Sequence, residues 1–113
     1  MRGDSAVGQG SLTPRARRFP IRTTVRYRAS GEADWREGAS INISSSGILF
    51  RVCETLPVET MLDMQIIFPQ EVTGGVPANV ECWGPVVRTE PPSDSDSRPA
   101  QAVCFRRYHF HHA

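Results

Sequence analysis

Apolar and polar residues alternate along most of the chain that follows its polar leader. The first alternating stretch spans residues 21–28. One of its faces holds Ile21, Thr23, Val25 and Tyr27, and the other holds Arg22, Thr24, Arg26 and Arg28. A period of two residues is typical of a β-strand with one face on a core and the other in solvent. The pattern therefore predicts a half-buried strand whose outer face is basic.

Five further stretches have the composition of β-strands, and turn residues separate them. They cover residues 35–43, 48–52, 61–68, 78–89 and 100–106. No stretch has a convincing helical period, and at most a short helical turn is expected in residues 108–113. Six short strands joined by turns predict an all-β fold, either an antiparallel β-barrel or a sandwich. A closed six-stranded antiparallel barrel suits this length and leaves few open edges.

The alternation also predicts which side chains enter the core. In strand 35–43 the core face holds Trp35, Ala39, Ile41 and Ile43. In strand 61–68 it holds Leu62, Met64, Ile66 and Phe68. Pro85 has no amide hydrogen, so strand 78–89 should lie at an edge or carry a bulge there.

The 113 residues are enough for one domain with a single modest core. Residues 1–14 are small and polar and are expected to form a disordered leader. Residues 15–107 are expected to form the barrel domain, and residues 108–113 a C-terminal tail. No apolar run approaches the length of a membrane span, and the N-terminus lacks the apolar stretch of a secretory signal. A cytoplasmic location without membrane contact is therefore expected.

The three cysteines, Cys53, Cys82 and Cys104, each lie inside an apolar run. Their number is odd and their spacing matches no zinc pattern, so buried reduced thiols are expected. Three histidines, His109, His111 and His112, lie in the tail without a cysteine or acid at ligand spacing. The sequence therefore predicts no metal site and no cofactor.

Charge is distributed unevenly along the chain. Residues 1–28 hold seven arginines and one acid, a net charge of +6, whereas residues 29–113 hold six arginines and eleven acids, a net charge of −5. The chain has no lysine. A GC-rich genome would explain the absence of lysine just as well as a functional requirement for arginine would. Even so, every cation is a planar guanidinium suited to phosphate and guanine recognition.

Two segments carry candidate binding chemistry. The first is Arg18-Phe19-Pro20-Ile21-Arg22, preceded by Arg17, where guanidinium groups can converge on an anion. Its alternative interpretation is a solvated basic edge that discourages aggregation. The second is Asn42-Ile43-Ser44-Ser45-Ser46-Gly47, whose short polar groups and glycine suit a ligand contact. Its alternative interpretation is an ordinary serine-rich hairpin turn.

Taken in order, Arg-x-x-x-Arg and Asn-x-Ser-x-x-Gly resemble the double signature of the PilZ domain over roughly residues 15–107. That resemblance implies a six-stranded β-barrel that binds cyclic di-GMP, a bacterial second messenger. It assigns ligand contacts to Arg18 and Arg22, and to Asn42, Ser44 and Gly47 of the second motif. An arginine just before the first motif, here Arg17, resembles the type of domain that binds an intercalated ligand pair.

The hypothesis from sequence is thus a non-enzymatic receptor that passes the level of cyclic di-GMP to a partner protein. We expect ligand binding to order residues 12–22 onto the barrel. One alternative is a PilZ-like adaptor whose arginines bind an acidic protein. Another is a nucleic-acid binder, although few aromatic residues are interleaved with the arginines. An enzyme is disfavoured because no serine or cysteine lies near a histidine.

Overall fold

The computed structural model describes residues 18–111, except for the side chains of residues 71 and 72. Seven strands and one helical turn make up the described chain. In order they are β1 (Thr24–Ala29), β2 (Arg36–Ser44), β3 (Gly47–Arg51), β4 (Met61–Phe68), α1 (Gln70–Thr73), β5 (Ala78–Glu90), β6 (Ala100–Cys104) and β7 (Arg107–His111). Arg17, the leader 1–14 and the last two residues lie outside the described part.

Six of the strands close into an antiparallel barrel. The strand order is β4-β1-β2-β3-β6-β5-β7, and an additional pairing of β4 with β5 closes the ring around β1 to β6. All pairings are antiparallel. The predicted fold class, an all-β protein with a six-stranded antiparallel barrel, is confirmed.

The core fills the inside of the ring, and the period-two pattern locates most of it correctly. Val25 and Tyr27 of β1 are buried, as are all four predicted side chains of β4. Tyr27 packs edge-on against Phe50 with ring centroids 5.1 Å apart. Each large side chain fully buried in this way contributes about 1.5–3 kcal/mol to stability.

The prediction for β2 is wrong over the first part of the strand because the strand contains a bulge. Its register against β3 shifts between Ser40 and Asn42. Ser40 is therefore buried and Ile41 is only partly buried. Trp35, expected in the core, instead lies outside the barrel against two guanidinium groups, with Arg28 4.4 Å and Arg26 5.0 Å from the ring centroid.

Strand β5 changes neighbours along its length. Residues Asn79–Trp83 pair with β7, whereas Val86–Glu90 pair with β6. The register shifts between Val86 and Arg88, so the bulge expected around Pro85 lies just beyond it.

The tail forms a strand rather than a helical turn. Arg107–His111 make up β7, which pairs with β5 outside the six-stranded ring. Tyr108 and Phe110 pack edge-on at 5.5 Å, and Phe110 also packs against Phe68 of β4 at 6.0 Å. This aromatic contact explains why the tail adds to the sheet. The described helical turn, α1, instead joins β4 to β5.

The three cysteines are free thiols, as expected, but they are not all buried. Cys82 is buried, Cys104 is half-buried and Cys53 is exposed on the loop after β3. Within residues 18–111, no helix has the length and apolar content that crossing a membrane requires.

Candidate functional site

The arginine segment lies along the end of β2 in the stretch that leads into β1. Phe19 and Ile43 form an isolated antiparallel bridge. The Phe19 amide donates to the Ile43 carbonyl at 2.8 Å, and the Ile43 amide donates to the Phe19 carbonyl at 3.0 Å. The first motif is therefore attached to the strand that carries the start of the second motif.

A side chain that the motifs do not include makes a further attachment. The Ser40 hydroxyl accepts a hydrogen bond from the Thr23 amide at 2.7 Å and donates one to the Ile21 carbonyl at 2.6 Å. The Ser40 amide also donates to the Thr23 carbonyl at 2.9 Å. Sequence reasoning missed Ser40 because alternation placed it on the outer face, and only the bulge turns it inward.

The two motifs meet in a direct side-chain contact. Arg18 Nη1 donates to Asn42 Oδ1 at 2.7 Å. Arg18 is exposed and Asn42 is half-buried, so both are open to a ligand on the outer surface. Arg22 is also exposed, and it has no hydrogen bond or ion pair with another residue of the described chain. Arg17, the sixth predicted site residue, lies outside the described residues.

Ser44 lies inside the hairpin turn rather than on its surface. Its side chain is fully buried. The hydroxyl accepts from the Ser46 amide at 3.2 Å and lies 3.1 Å from the Ser46 hydroxyl. A further, longer bond of 3.4 Å runs to the Gly47 carbonyl. In this conformation the Ser44 hydroxyl stabilises the turn and is not presented to solvent, whereas Ser45 at the tip is exposed.

Gly47 is required by the close approach of two strands. A Cβ at this position would lie 2.5 Å from the carbonyl oxygen of Val103 on β6. Real Cβ atoms are essentially never found that close to a backbone atom. Gly47 therefore permits β3 to pair with β6, and its lack of a side chain has a structural cause independent of any ligand.

The expected ordering of residues 12–22 on ligand binding stays a prediction, and the structure describes residues 18–22 of that stretch. Phe19, Ile21 and Thr23 already bond to β2 through backbone and side-chain groups. Any rearrangement on ligand binding in this stretch would start from a paired segment.

The two arginines on the outer face of β1, Arg26 and Arg28, both have partners on neighbouring elements. Arg28 Nε lies 3.0 Å from Asp63 Oδ2, and Arg26 Nη1 donates to Gln65 at 2.9 Å. Both guanidinium groups also stack on Trp35. Within residues 18–111, Arg22 has no such partner and Arg18 bonds to Asn42 at the surface, which makes these two the better candidates for an anionic ligand.

A groove of about 570 Å³ lies on the outer face of β1, β4 and β5, beside β7. Its lining includes Arg26, Gln65, Ile67, Glu81 and His111. None of the described residues predicted for the nucleotide site lines it. The groove is therefore a separate feature from the meeting point of the two motifs.

The histidines of β7 have an ordinary polar setting. His111 Nε2 lies 3.1 Å from Glu81 Oε1, and its ring lies 4.6 Å from that of His109. No group of three or more metal-ligating side chains occurs among residues 18–111.

Comparison with known proteins supports the fold. No family model matches the sequence, and no curated protein matches it. Among solved structures, the chain is similar to the Bacillus subtilis inhibitor of motility, MotI/DgrA, with a TM-score of 0.66 and 16% sequence identity. The match covers 82% of this chain and 42% of that one, so the chain spans less than half of its neighbour. At this identity the likeness shows the fold, a PilZ-like barrel.

Proposed function

We propose that this barrel is a non-enzymatic receptor for cyclic di-GMP. The observation that carries the proposal is the 2.7 Å contact between Arg18 and Asn42, which joins the two halves of the PilZ-like signature at one place on the surface. A ligand placed there would meet the Arg18 guanidinium and the Asn42 carboxamide, and Arg22 is four residues from Arg18 in the same segment.

The chemistry of these groups matches that of the ligand. Cyclic di-GMP carries two phosphate charges and two guanines, and guanine offers O6 and N7 to a bidentate arginine. A guanidinium can also stack on a purine. Charge-assisted hydrogen bonds contribute about 1.5–3 kcal/mol each, so three of them supply roughly 4.5–9 kcal/mol before ordering costs. Micromolar binding, at about −8 kcal/mol, therefore needs stacking on the guanines in addition.

The Arg18–Asn42 bond defines what the ligand has to replace. In the free protein each group satisfies the other, so binding exchanges this exposed bond for bonds to phosphate or guanine. The exchange costs little because both groups are accessible to water. Arg22 has no comparable partner within residues 18–111 and is available directly. Ser44 and Gly47 support the proposed site by holding the hairpin beside it.

The output of such a receptor would pass through another protein. The structural neighbour is named as an inhibitor of motility, so control of motility is the first outcome to examine. Surface attachment and exopolysaccharide production are the other outcomes that the PilZ resemblance implies. No step of bond breaking is proposed for the site.

Isothermal titration calorimetry with cyclic di-GMP tests the proposal. We expect micromolar binding to the wild type and at least a tenfold loss in the Arg18→Ala/Arg22→Ala variant. Arg36→Ala is the matched control, since this partly exposed arginine at the start of β2 pairs only loosely with Glu54, at 3.7 Å. It should bind like the wild type.

Titrations with GTP and with short DNA and RNA oligonucleotides separate the alternatives. Binding of an oligonucleotide without binding of cyclic di-GMP would instead favour a nucleic-acid binder. If none of the nucleotides binds, the remaining alternative is an adaptor whose arginines bind an acidic protein. The thermal midpoint of the double variant should stay close to that of the wild type, because exposed arginines contribute little to folding.

A further inference from the structure

We infer that Ser40 is a positioning residue for the proposed nucleotide site, because its hydroxyl fixes the backbone on both sides of Arg22. The inference rests on the proposed function for its ligand. The attachment of the arginine segment to β2, on which the inference also depends, can be measured without any ligand.

The geometry is specific to Arg22. The Ile21 carbonyl belongs to the peptide unit before Arg22, and the Thr23 amide belongs to the peptide unit after it. The Ser40 hydroxyl donates to the first at 2.6 Å and accepts from the second at 2.7 Å. One oxygen atom therefore restrains the two backbone dihedral angles of Arg22, which set the direction of its side chain.

A hydroxyl is well suited to this position. It is one of the few side-chain groups that donate and accept through the same atom. Ser40 is also 1% exposed, so water does not readily take over its bonds. Without the hydroxyl, the Ile21 carbonyl and the Thr23 amide would lose their described partner.

The rest of the segment offers few replacements. Pro20 has no amide hydrogen, and the Ile21 amide bonds back to Phe19 rather than to β2. Two backbone attachments flank this stretch: the Phe19–Ile43 bridge and the bond from the Ser40 amide to the Thr23 carbonyl. Between them, the side chain of Ser40 provides the attachment to the barrel that the structure describes. Its loss should free Arg22 while the barrel itself stays closed.

Limited trypsin digestion of the Ser40→Ala variant measures this release. Cleavage after Arg22 produces a fragment ending at that residue, which mass spectrometry identifies. We expect this cleavage to be about tenfold faster than in the wild type, as the loss of two ordinary hydrogen bonds predicts. Cleavage after Arg26 and Arg51, in strands β1 and β3, should be unchanged.

Ser44→Ala is the matched control for digestion. It removes an equally buried hydroxyl from the same strand, but that hydroxyl bonds within the hairpin and not to the arginine segment. We expect cleavage after Arg22 in this variant at the wild-type rate. Equal acceleration in both variants would overturn the inference, because the effect would then be general loosening of β2.

Amide exchange in the wild type keeps the inference testable even if Ser40→Ala does not fold. The Thr23 amide should be protected by the Ser40 hydroxyl, whereas the neighbouring Arg22 amide has no described acceptor and should exchange rapidly. A Thr23 amide that exchanges as fast as that of Arg22 would overturn the attachment.

Calorimetry then separates this inference from the proposed function. If the wild type binds cyclic di-GMP, Ser40→Ala should bind about three- to tenfold more weakly; unchanged affinity despite faster cleavage overturns the positioning role. If the wild type does not bind, yet cleavage after Arg22 accelerates only in Ser40→Ala, the attachment stands and the proposed function fails.

Discussion

The carboxamide of Gln101 bonds to both backbone polar groups of Leu56. The Leu56 amide donates to Gln101 Oε1 at 3.0 Å, and Gln101 Nε2 donates to the Leu56 carbonyl at 2.7 Å. The same nitrogen donates to Thr89 Oγ1 at 2.9 Å. Gln101 has no exposed surface, so this buried side chain anchors the loop between β3 and β4 to β6.

Replacing Gln101 by alanine should destabilise the fold by about 2–3 kcal/mol, because the backbone groups of Leu56 would be left without their partner. Urea denaturation followed by tryptophan fluorescence measures the change. Gln65→Ala is the control, since Gln65 makes an exposed bond to Arg26 and its loss should cost about 0.5 kcal/mol or less. Similar losses in the two variants would contradict the anchoring role of Gln101.

Gly47→Ala should destabilise the barrel by about 2 kcal/mol or more, because the new Cβ would collide with the Val103 carbonyl. Thermal denaturation detects this as a lower midpoint. Gly75 offers the control: a Cβ there meets no atom within 4 Å, so Gly75→Ala should be close to neutral. A normal midpoint for Gly47→Ala would show that β3 and β6 can move apart. Loss of nucleotide binding in this variant would not identify a ligand contact.

Glu59 has a φ angle of 80°, a left-handed conformation that is unfavourable for a residue with a side chain. Glu59→Gly should therefore stabilise the fold, by roughly 0.5–1 kcal/mol after the greater freedom of glycine in the unfolded chain is subtracted. Glu32→Gly, at an exposed turn position without a left-handed φ angle, should destabilise by a similar amount. Chemical denaturation of both variants gives the comparison, and destabilisation by Glu59→Gly would refute the strain.

Hydrogen bonds from the side chain and then the backbone of Arg98 lower the pKa of Asp96 to about 2. Because the folded-state pKa lies below that of the unfolded chain, about 3.9, this pair stabilises the fold above that pH. The contribution is lost as the pH falls from about 4 through about 2. Carboxyl chemical shifts in a pH titration should show the low midpoint, and Arg98→Ala should move it towards the ordinary value. If the titration midpoint of Asp96 is the same in Arg98→Ala as in the wild type, Arg98 is not the cause of the lowered pKa.

The thiols should differ in reactivity according to burial. Cys53 is exposed, whereas burial, with a smaller contribution from Glu81, raises the pKa of the Cys82 thiol. Iodoacetamide at mildly alkaline pH should modify Cys53 in the folded protein and Cys82 only in denaturant. Cys53→Ser should remove the fast-reacting thiol. Equal rates at Cys53 and Cys82 in native protein would mean that β5 opens readily.

The fold was predictable where the alternation runs without interruption. Strand β4 follows its pattern from Leu62 to Phe68, and each predicted side chain is buried. Strand β2 does not follow its predicted pattern, because one extra residue at the bulge exchanges the inner and outer faces of the strand. Nothing local to Ser40 or Ile41 marks that insertion, which depends on how β2 pairs with β3. Likewise β7 pairs with β5 and its Phe110 packs against Phe68, contacts that join positions far apart in sequence.

The proximity of the two motifs was predictable from the sequence, but the contacts of their individual side chains were not. The motifs place Arg18 and Asn42 in one site, and the structure brings these two side chains into contact. The same motifs include Ser44 beside Asn42, although its hydroxyl is buried within the turn. Residue type and spacing do not distinguish a serine that faces a ligand from one that supports the backbone beneath it.

The structural duties of Ser44 and Gly47 affect how such motifs survive in evolution. The hairpin and the contact of β3 with β6 depend on these two residues whether or not anything binds outside. A barrel of this kind that binds no nucleotide would still need these two residues to fold, whereas its exposed arginines could vary. The presence of the second motif alone is therefore weak evidence of a binding site, because folding by itself requires Ser44 and Gly47.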